Sequence, residues 1–268
     1  MKKLFIVIML IFTSLYSKAD EKYKIYYEKA EYGYKIFVDN NEVCPISIKL
    51  NFNTTNLSVE KGNNKIYVIK PNIKKELVTK LIVINKKKRY NFSYKWSENR
   101  GDVTQEVYDK DFKYFLPFEK GNNFLIFQGY NGSFSHQNEN ALDFTMPIGT
   151  VITAIRGGIV VDVVQENNKS CDKKECVKYN NFITIYHKDG TFAEYTHIRK
   201  NGSNVKVGDV VKQGQIIGFS GNVGWSTGPH LHLVIYLQKM ESKETLKTKF
   251  IIAGNKLSYL KEKEYYKR

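Results

Sequence analysis

Aromatic and β-branched residues alternate with polar ones through most of residues 20–100. "YKIYYEK", "YGYKIFVDN", "ISIKLNF", "NKIYVIK", "LVTKLIVI" and "RYNFSYKW" each set apolar side chains two apart, the period of a half-buried strand. Asn40-Asn41 and Gly62-Asn63-Asn64 stand between these runs and supply turns. Helical periodicity is nearly absent. Residues 20–100 are therefore expected to form a small antiparallel β-domain of the sandwich kind. "NKKKRY", Asn85 to Tyr90, reads as a solvated tip between two strands.

A polar stretch, "SENRGDVTQEVYDKD" over 97–111, interrupts the pattern and predicts a linker over 101–114. A second set of short strands follows: "NFLIFQGY", "ALDFTMP", "TVITAIRGGIVVDVVQ", "YNNFITIYHKDGTFAEYTHI", "NVKVGDVVKQGQIIGFSG" and "HLHLVIYLQ". Asp189-Gly190 is a strong hairpin turn, and His187 beside it reads as a solvated residue with no role. The charged run from Asn167 to Lys178 reads as an exposed loop. The chain is thus expected to be all-β, with a second domain over 115–240 and a charged, irregular extension over 241–268 that caps it.

Composition adds a destination. "MKKLFIVIMLIFTSLYSKAD" has two lysines, an apolar run from Leu4 to Tyr16, and small residues at Ser17 and Ala19 before a cut ahead of Asp20. Residues 1–19 therefore read as a secretory signal peptide, leaving no transmembrane segment after its removal. The chain has 268 residues and a formal charge of +15. Without residues 1–19 it keeps 39 basic and 27 acidic residues, a charge of +12. A basic exported protein is drawn to anionic cell-wall or envelope polymers, and export argues against nucleic acid. Outside the cytoplasm "CDKKEC" could close a small disulfide loop from Cys171 to Cys176, leaving Cys44 as a buried free thiol.

The chemistry gathers on few residues. His230 and His232 stand two apart at the start of a strand, so both face one side. Asp143 lies inside the apolar run "ALDFTMP", where an unpaired buried carboxylate costs roughly several kcal/mol. If the strands of Asp143 and His232 are neighbours, His136 can join them. Two imidazoles and one carboxylate make a tetrahedral zinc site with its fourth position open, the pattern of a catalytic metal. His197, at the end of "AEYTHI", is expected on the strand face of Tyr195. It and His230 would flank the metal, where an imidazole can take or supply a proton.

"SHQNENALDFTMPIGTVITAIRGGIVV", "YHKDGTFAEYTHI" and "VKVGDVVKQGQIIGFSGNVGWSTGPHLHL" together resemble the lysostaphin/LytM-type zinc metallopeptidases, which are peptidoglycan endopeptidases. The resemblance covers roughly residues 115–240. It implies a β-sheet cleft with one zinc ion on its floor, bound by His136, Asp143 and His232, and a catalytic pair of His197 and His230. Many members have three residues between the first histidine and the aspartate. Here there are six, a longer-spaced form that resembles one branch of the family. Tyr130, six residues before His136, matches a tyrosine whose hydroxyl can stabilise an oxyanion. The implied activity is hydrolysis of peptide bonds in peptidoglycan stem or cross-bridge peptides. Two other readings stay open: an inactive wall-binding or hydrolase-activating protein of the same fold, and a carrier-like β-barrel suggested by "VGDVVKQGQIIG".

Overall fold

The computed structural model describes residues 22–268, so the expected signal segment lies outside the described residues. Strands dominate, and among the described residues no helix is long and apolar enough to cross a membrane. The first seven strands are β1 (Tyr23–Ala30), β2 (Gly33–Asn40), β3 (Ile46–Thr55), β4 (Leu57–Val59), β5 (Lys65–Ile69), β6 (Ile73–Val83) and β7 (Asn91–Arg100). They pair antiparallel into a four-stranded sheet, β1-β2-β6-β4, and a three-stranded sheet, β5-β3-β7. Alternation explains the shared core. Ile46, Ile48, Leu50 and Phe52 lie two apart on β3 and meet Ile36, Val38 and Leu81 from the other sheet. Each fully buried side chain of this size contributes about 2 kcal/mol.

Residues 101–113 form no strand, yet they are packed rather than a free tether. Ser47 Oγ donates to the Gly101 carbonyl at 2.8 Å, and Val103 is buried. Gly101 has φ of +82°, and a Cβ there would lie 2.8 Å from the Phe192 ring, so only glycine fits.

The next strands are β8 (Tyr114–Phe115), β9 (Asn123–Gln128), β10 (Ala141–Phe144), β11 (Val151–Thr153), β12 (Gly158–Val164), β13 (Ser170–Cys171), β14 (Phe182–Tyr186) and β15 (Thr191–Thr196). They are followed by β16 (Ile198–Ser203), β17 (Val210–Val211), β18 (Ile216–Ser220), β19 (Gly224–Trp225) and β20 (Leu231–Gln238). The last four are β21 (Lys243–Thr245), β22 (Phe250–Ile252), β23 (Lys256–Ser258) and β24 (Tyr265–Lys267). The main sheet runs β17-β12-β14-β15-β20-β10-β9-β24, with β21 added to β20. One face is the core: Leu231, Leu233, Ile235 and Leu237 of β20 pack with Tyr195, Ile183 and Phe144. The opposite face carries His232, Val234 and Tyr236 beside Thr196, Glu194 and Phe192 of β15. Val43 and Cys44 cover its Val234–Tyr236 end, and Arg100 Nη1 meets Asp162 Oδ2 there at 2.6 Å. The His232 end stays open and forms a cleft.

Three expectations change. His187 is not solvated: it is fully buried, with Nδ1 donating to the Gly157 carbonyl at 3.0 Å. Its ring lies beneath Gly158, where a Cβ would come within 3.0 Å of it. The 241–268 segment is more regular than expected, since β22 joins β8 and β24 joins β9. The charged loop contains β13, parallel to β19, and a six-residue 3-10 segment, Lys174–Tyr179. Cys171 and Cys176 are disulfide-bonded within it, and Cys44 is a buried free thiol.

Candidate metal centre

Strand register makes the first contact. β10 and β20 are antiparallel neighbours with Asp143 opposite His232. The 129–140 loop then folds back through local turns: Gly132 N–H to the Gly129 carbonyl, Glu139 N–H to the His136 carbonyl, and Asn131 N–H to the Glu139 carbonyl. His136 is thereby turned inward and is 1% exposed.

The three predicted ligands converge. His232 Nδ1 lies 2.9 Å from Asp143 Oδ1, and His136 Nε2 lies 3.2 Å from His232 Nδ1 and 3.3 Å from Asp143 Oδ1. Bonds of about 2.0–2.1 Å in tetrahedral geometry put neighbouring donor atoms about 3.3 Å apart. The donor set and its spacing thus fit a tetrahedral divalent ion of the zinc type. Tautomers agree with that fit. The Gly129 carbonyl can only accept, so His136 Nδ1, 3.0 Å away, carries the proton and Nε2 presents its lone pair. A metal ion would replace the proton shared by His232 and Asp143.

The electrostatics follow from burial and these bonds. Burial would raise the Asp143 pKa, but the two imidazoles against it, His136 and His232, hold it well below the usual carboxylate range. Burial lowers the His232 pKa, and the hydrogen bond and charge of Asp143 raise it by more. Gln128, 3% exposed, anchors the cluster from β9. Its Nε2 donates to Asp143 Oδ2 at 3.1 Å and Ser135 Oγ at 2.8 Å. Its Oε1 accepts from the N–H groups of Phe134 and Ser135 at 3.0 and 2.9 Å.

His230 and His197 stand beside this cluster, with ring centroids 4.5 Å apart. His230 Nε2 is 3.9 Å from Asp143 Oδ1, and its Nδ1 donates to the Gly228 carbonyl at 2.8 Å. His197 Nδ1 donates to the Val223 carbonyl at 2.7 Å. His197 does not share the face of Tyr195. Its φ is +68°, so alternation breaks: Tyr195 enters the core and accepts from the Ile155 N–H, while His197 enters the cleft. Burial first, then the charges of His230 and His232, push the His197 pKa down to about 3.

Tyr130 is not brought to this group. Its hydroxyl donates to the Thr248 carbonyl at 3.0 Å, and the ring packs against the core rather than lining the cleft. The cleft encloses about 470 Å³. Phe127 and Phe134 line it together with Val177 and Trp225 of the disulfide-bonded loop region. Gln128, Glu139, Glu194 and Thr196 were not anticipated from sequence. Gln128, a polar end to the apolar run "NFLIF", was the one available signal.

Residues 137–244 match the model of peptidase family M23. An uncharacterized metalloprotease of Buchnera aphidicola is 29% identical over 87% of this chain and 50% of its own length. Lysostaphin of Staphylococcus staphylolyticus is 41% identical over 39% of this chain and 19% of its own. The peptidoglycan DD-endopeptidase ShyA of Vibrio cholerae is 39% identical over 35% and 19%. The chain spans half the length of the first relative and about a fifth of the other two.

Proposed function

We propose, from the match of residues 137–244 to peptidase family M23, that the chain is an exported zinc-dependent endopeptidase acting on the stem or cross-bridge peptides of peptidoglycan. The carrying observation is the donor set His136 Nε2, Asp143 Oδ1 and His232 Nδ1, spaced 2.9–3.3 Å apart on the floor of an open cleft. A relative named for DD-endopeptidase activity on peptidoglycan supports the substrate. The N-terminal segment supports export, and the charge of +15 favours anionic envelope polymers as surroundings.

His136, Asp143 and His232 would hold the ion. When bound, zinc supplies a Lewis acid that polarises a carbonyl and lowers the pKa of water toward about 7. The chain's own groups then move protons. With Nδ1 tied to the Gly228 carbonyl, His230 offers Nε2 as the base that takes a proton from the attacking water. The resulting imidazolium returns that proton to the leaving amine. His197, held neutral by burial, orients the attacking group through Nε2.

The test is metal content by mass spectrometry, with fragment release from purified sacculi. One zinc per chain and release abolished by chelation or by His232→Ala are expected. Equal release by wild type and variant would overturn the assignment.

A further inference from the structure

The cleft has the opposite sign to the rest of the chain. The formal charge is +15, yet among the described residues no lysine or arginine lines the cleft. Besides Asp143, its charged groups are two carboxylates, Glu139 and Glu194. Glu139 is half-buried, three residues beyond His136, and among the described residues its carboxylate has no hydrogen bond or ion pair. Glu194 lies on the floor, two residues from Thr196, which pairs with His232. Two residues along a strand are about 7 Å. Among the described residues Glu194 pairs with Lys243 at 3.1 Å, its own side chain 22% exposed and that of Lys243 43% exposed, so it is the weaker of the two carboxylates as a contact.

A second observation concerns Thr196. It is 2% exposed and lines the cleft, and its Oγ1 has no partner among the described residues. A buried hydroxyl without a partner is costly unless a ligand group meets it. At the rim, the rings of Phe127 and Phe134 are 60% and 68% exposed. Aromatic faces attract cations.

Resting on the endopeptidase reading above, we infer that the cleft selects peptides carrying an ammonium group within about two residues of the scissile bond. Glu139 is the principal contact, Glu194 a second, and Thr196 Oγ1 an acceptor for a substrate N–H. A carboxylate at the same position is disfavoured by both glutamates. The substrate class is thus a peptide with a free α- or ω-amine, such as that of a diamino acid.

The test uses the zinc-loaded full chain. Two synthetic peptides are identical except that a lysine beside the scissile bond has a free or an acetylated ε-amine. Affinity is read by calorimetry and cleavage by mass spectrometry. Tighter binding of the free amine by about fivefold to tenfold is expected, the scale of one half-buried ion pair. Glu139→Gln should collapse that ratio to below about twofold, with Glu194→Gln collapsing it in part. Rising salt should erode the preference. Equal affinities, a ratio unchanged in Glu139→Gln, or no binding of either peptide overturns the inference. Cleavage without preference overturns the inference and leaves the hydrolase reading standing. Preference without cleavage does the reverse.

Discussion

Replacing Gln128 with methionine tests whether the metal centre is held from behind. Methionine fills similar volume but removes four hydrogen bonds: two donated, to Asp143 Oδ2 and Ser135 Oγ, and two accepted, from Phe134 N and Ser135 N. The released N–H groups lie on the loop that carries exposed Phe134, so water can reach them. Asp143 Oδ2 is buried, and its orphaning costs about 1–3 kcal/mol, toward the top of that range for a charged group. With the net loss of the other bonds, the metal-free protein should lose about 2–4 kcal/mol. Loss of such a supporting hydrogen bond also weakens metal affinity by about 10–100-fold. Urea denaturation of the metal-free chain measures the first quantity. Zinc competition against a chromophoric chelator measures the second. If stability falls while zinc affinity stays within about threefold of wild type, below the expected range, Gln128 is only a packing residue and the reasoning fails.

Three further outcomes are expected. Burial takes the His187 pKa from its ordinary value down to about 4, so on acidification the unfolded chain binds a proton that the folded chain refuses. Stability from this group is complete above pH 6.5 and falls by about 3 kcal/mol as pH drops toward 4. His187→Asn, which keeps a donor for the Gly157 carbonyl, should show a smaller stability loss than wild type between pH 7 and 4.5 in urea titrations, and parallel curves would contradict it. Replacing Cys171 and Cys176 with serine opens a six-residue loop and should cost about 2 kcal/mol by loop entropy. Because that loop carries Val177 and leads to Asn180 in the cleft wall, KM should rise several-fold with kcat kept, and an equal fall in kcat would argue against a rim role. Arg100→Ala removes the 2.6 Å contact to Asp162 and the contact to Glu42. It should lower the melting temperature without changing zinc affinity, and a parallel zinc loss would show coupling that the geometry does not contain.

Strands were legible because their side chains alternate, and Asp189-Gly190 marked its hairpin by residue type alone. Asp143 was legible as a carboxylate misplaced in an apolar run, and His230 with His232 as a pair sharing one side. His136 could be joined to Asp143 and His232 only on the condition that their strands are neighbours, because the bonds to Gln128 that shape its loop leave no local pattern. His197 defeated the alternation rule through a single left-handed backbone angle. His187 defeated the turn rule because its neighbour on the next strand is a glycine, which leaves room for the ring. Tyr130 kept the right spacing but spends its hydroxyl on Thr248. For His187 and Tyr130 the deciding partner lies far away in sequence, where local pattern carries no information.

The length of the groove is also a long-range property. On the open face, β15 and β20 present successive rows: Thr196 with His232, Glu194 with Val234, and Phe192 with Tyr236. Rows are about 7 Å apart. The third row is covered by Val43 and Cys44, in a cluster separate from the main core. Beyond Glu194 the face continues as a recess of about 400 Å³, lined by Glu42 and Arg100 on one side and Asp162 and Thr184 on the other. A peptide extending from His232 along these strands therefore crosses one row before it meets the N-terminal strands. The main sheet sets the position of the His136, Asp143 and His232 cluster, and β3 and β7, which frame that cover, set how much of the face stays open on this side of it.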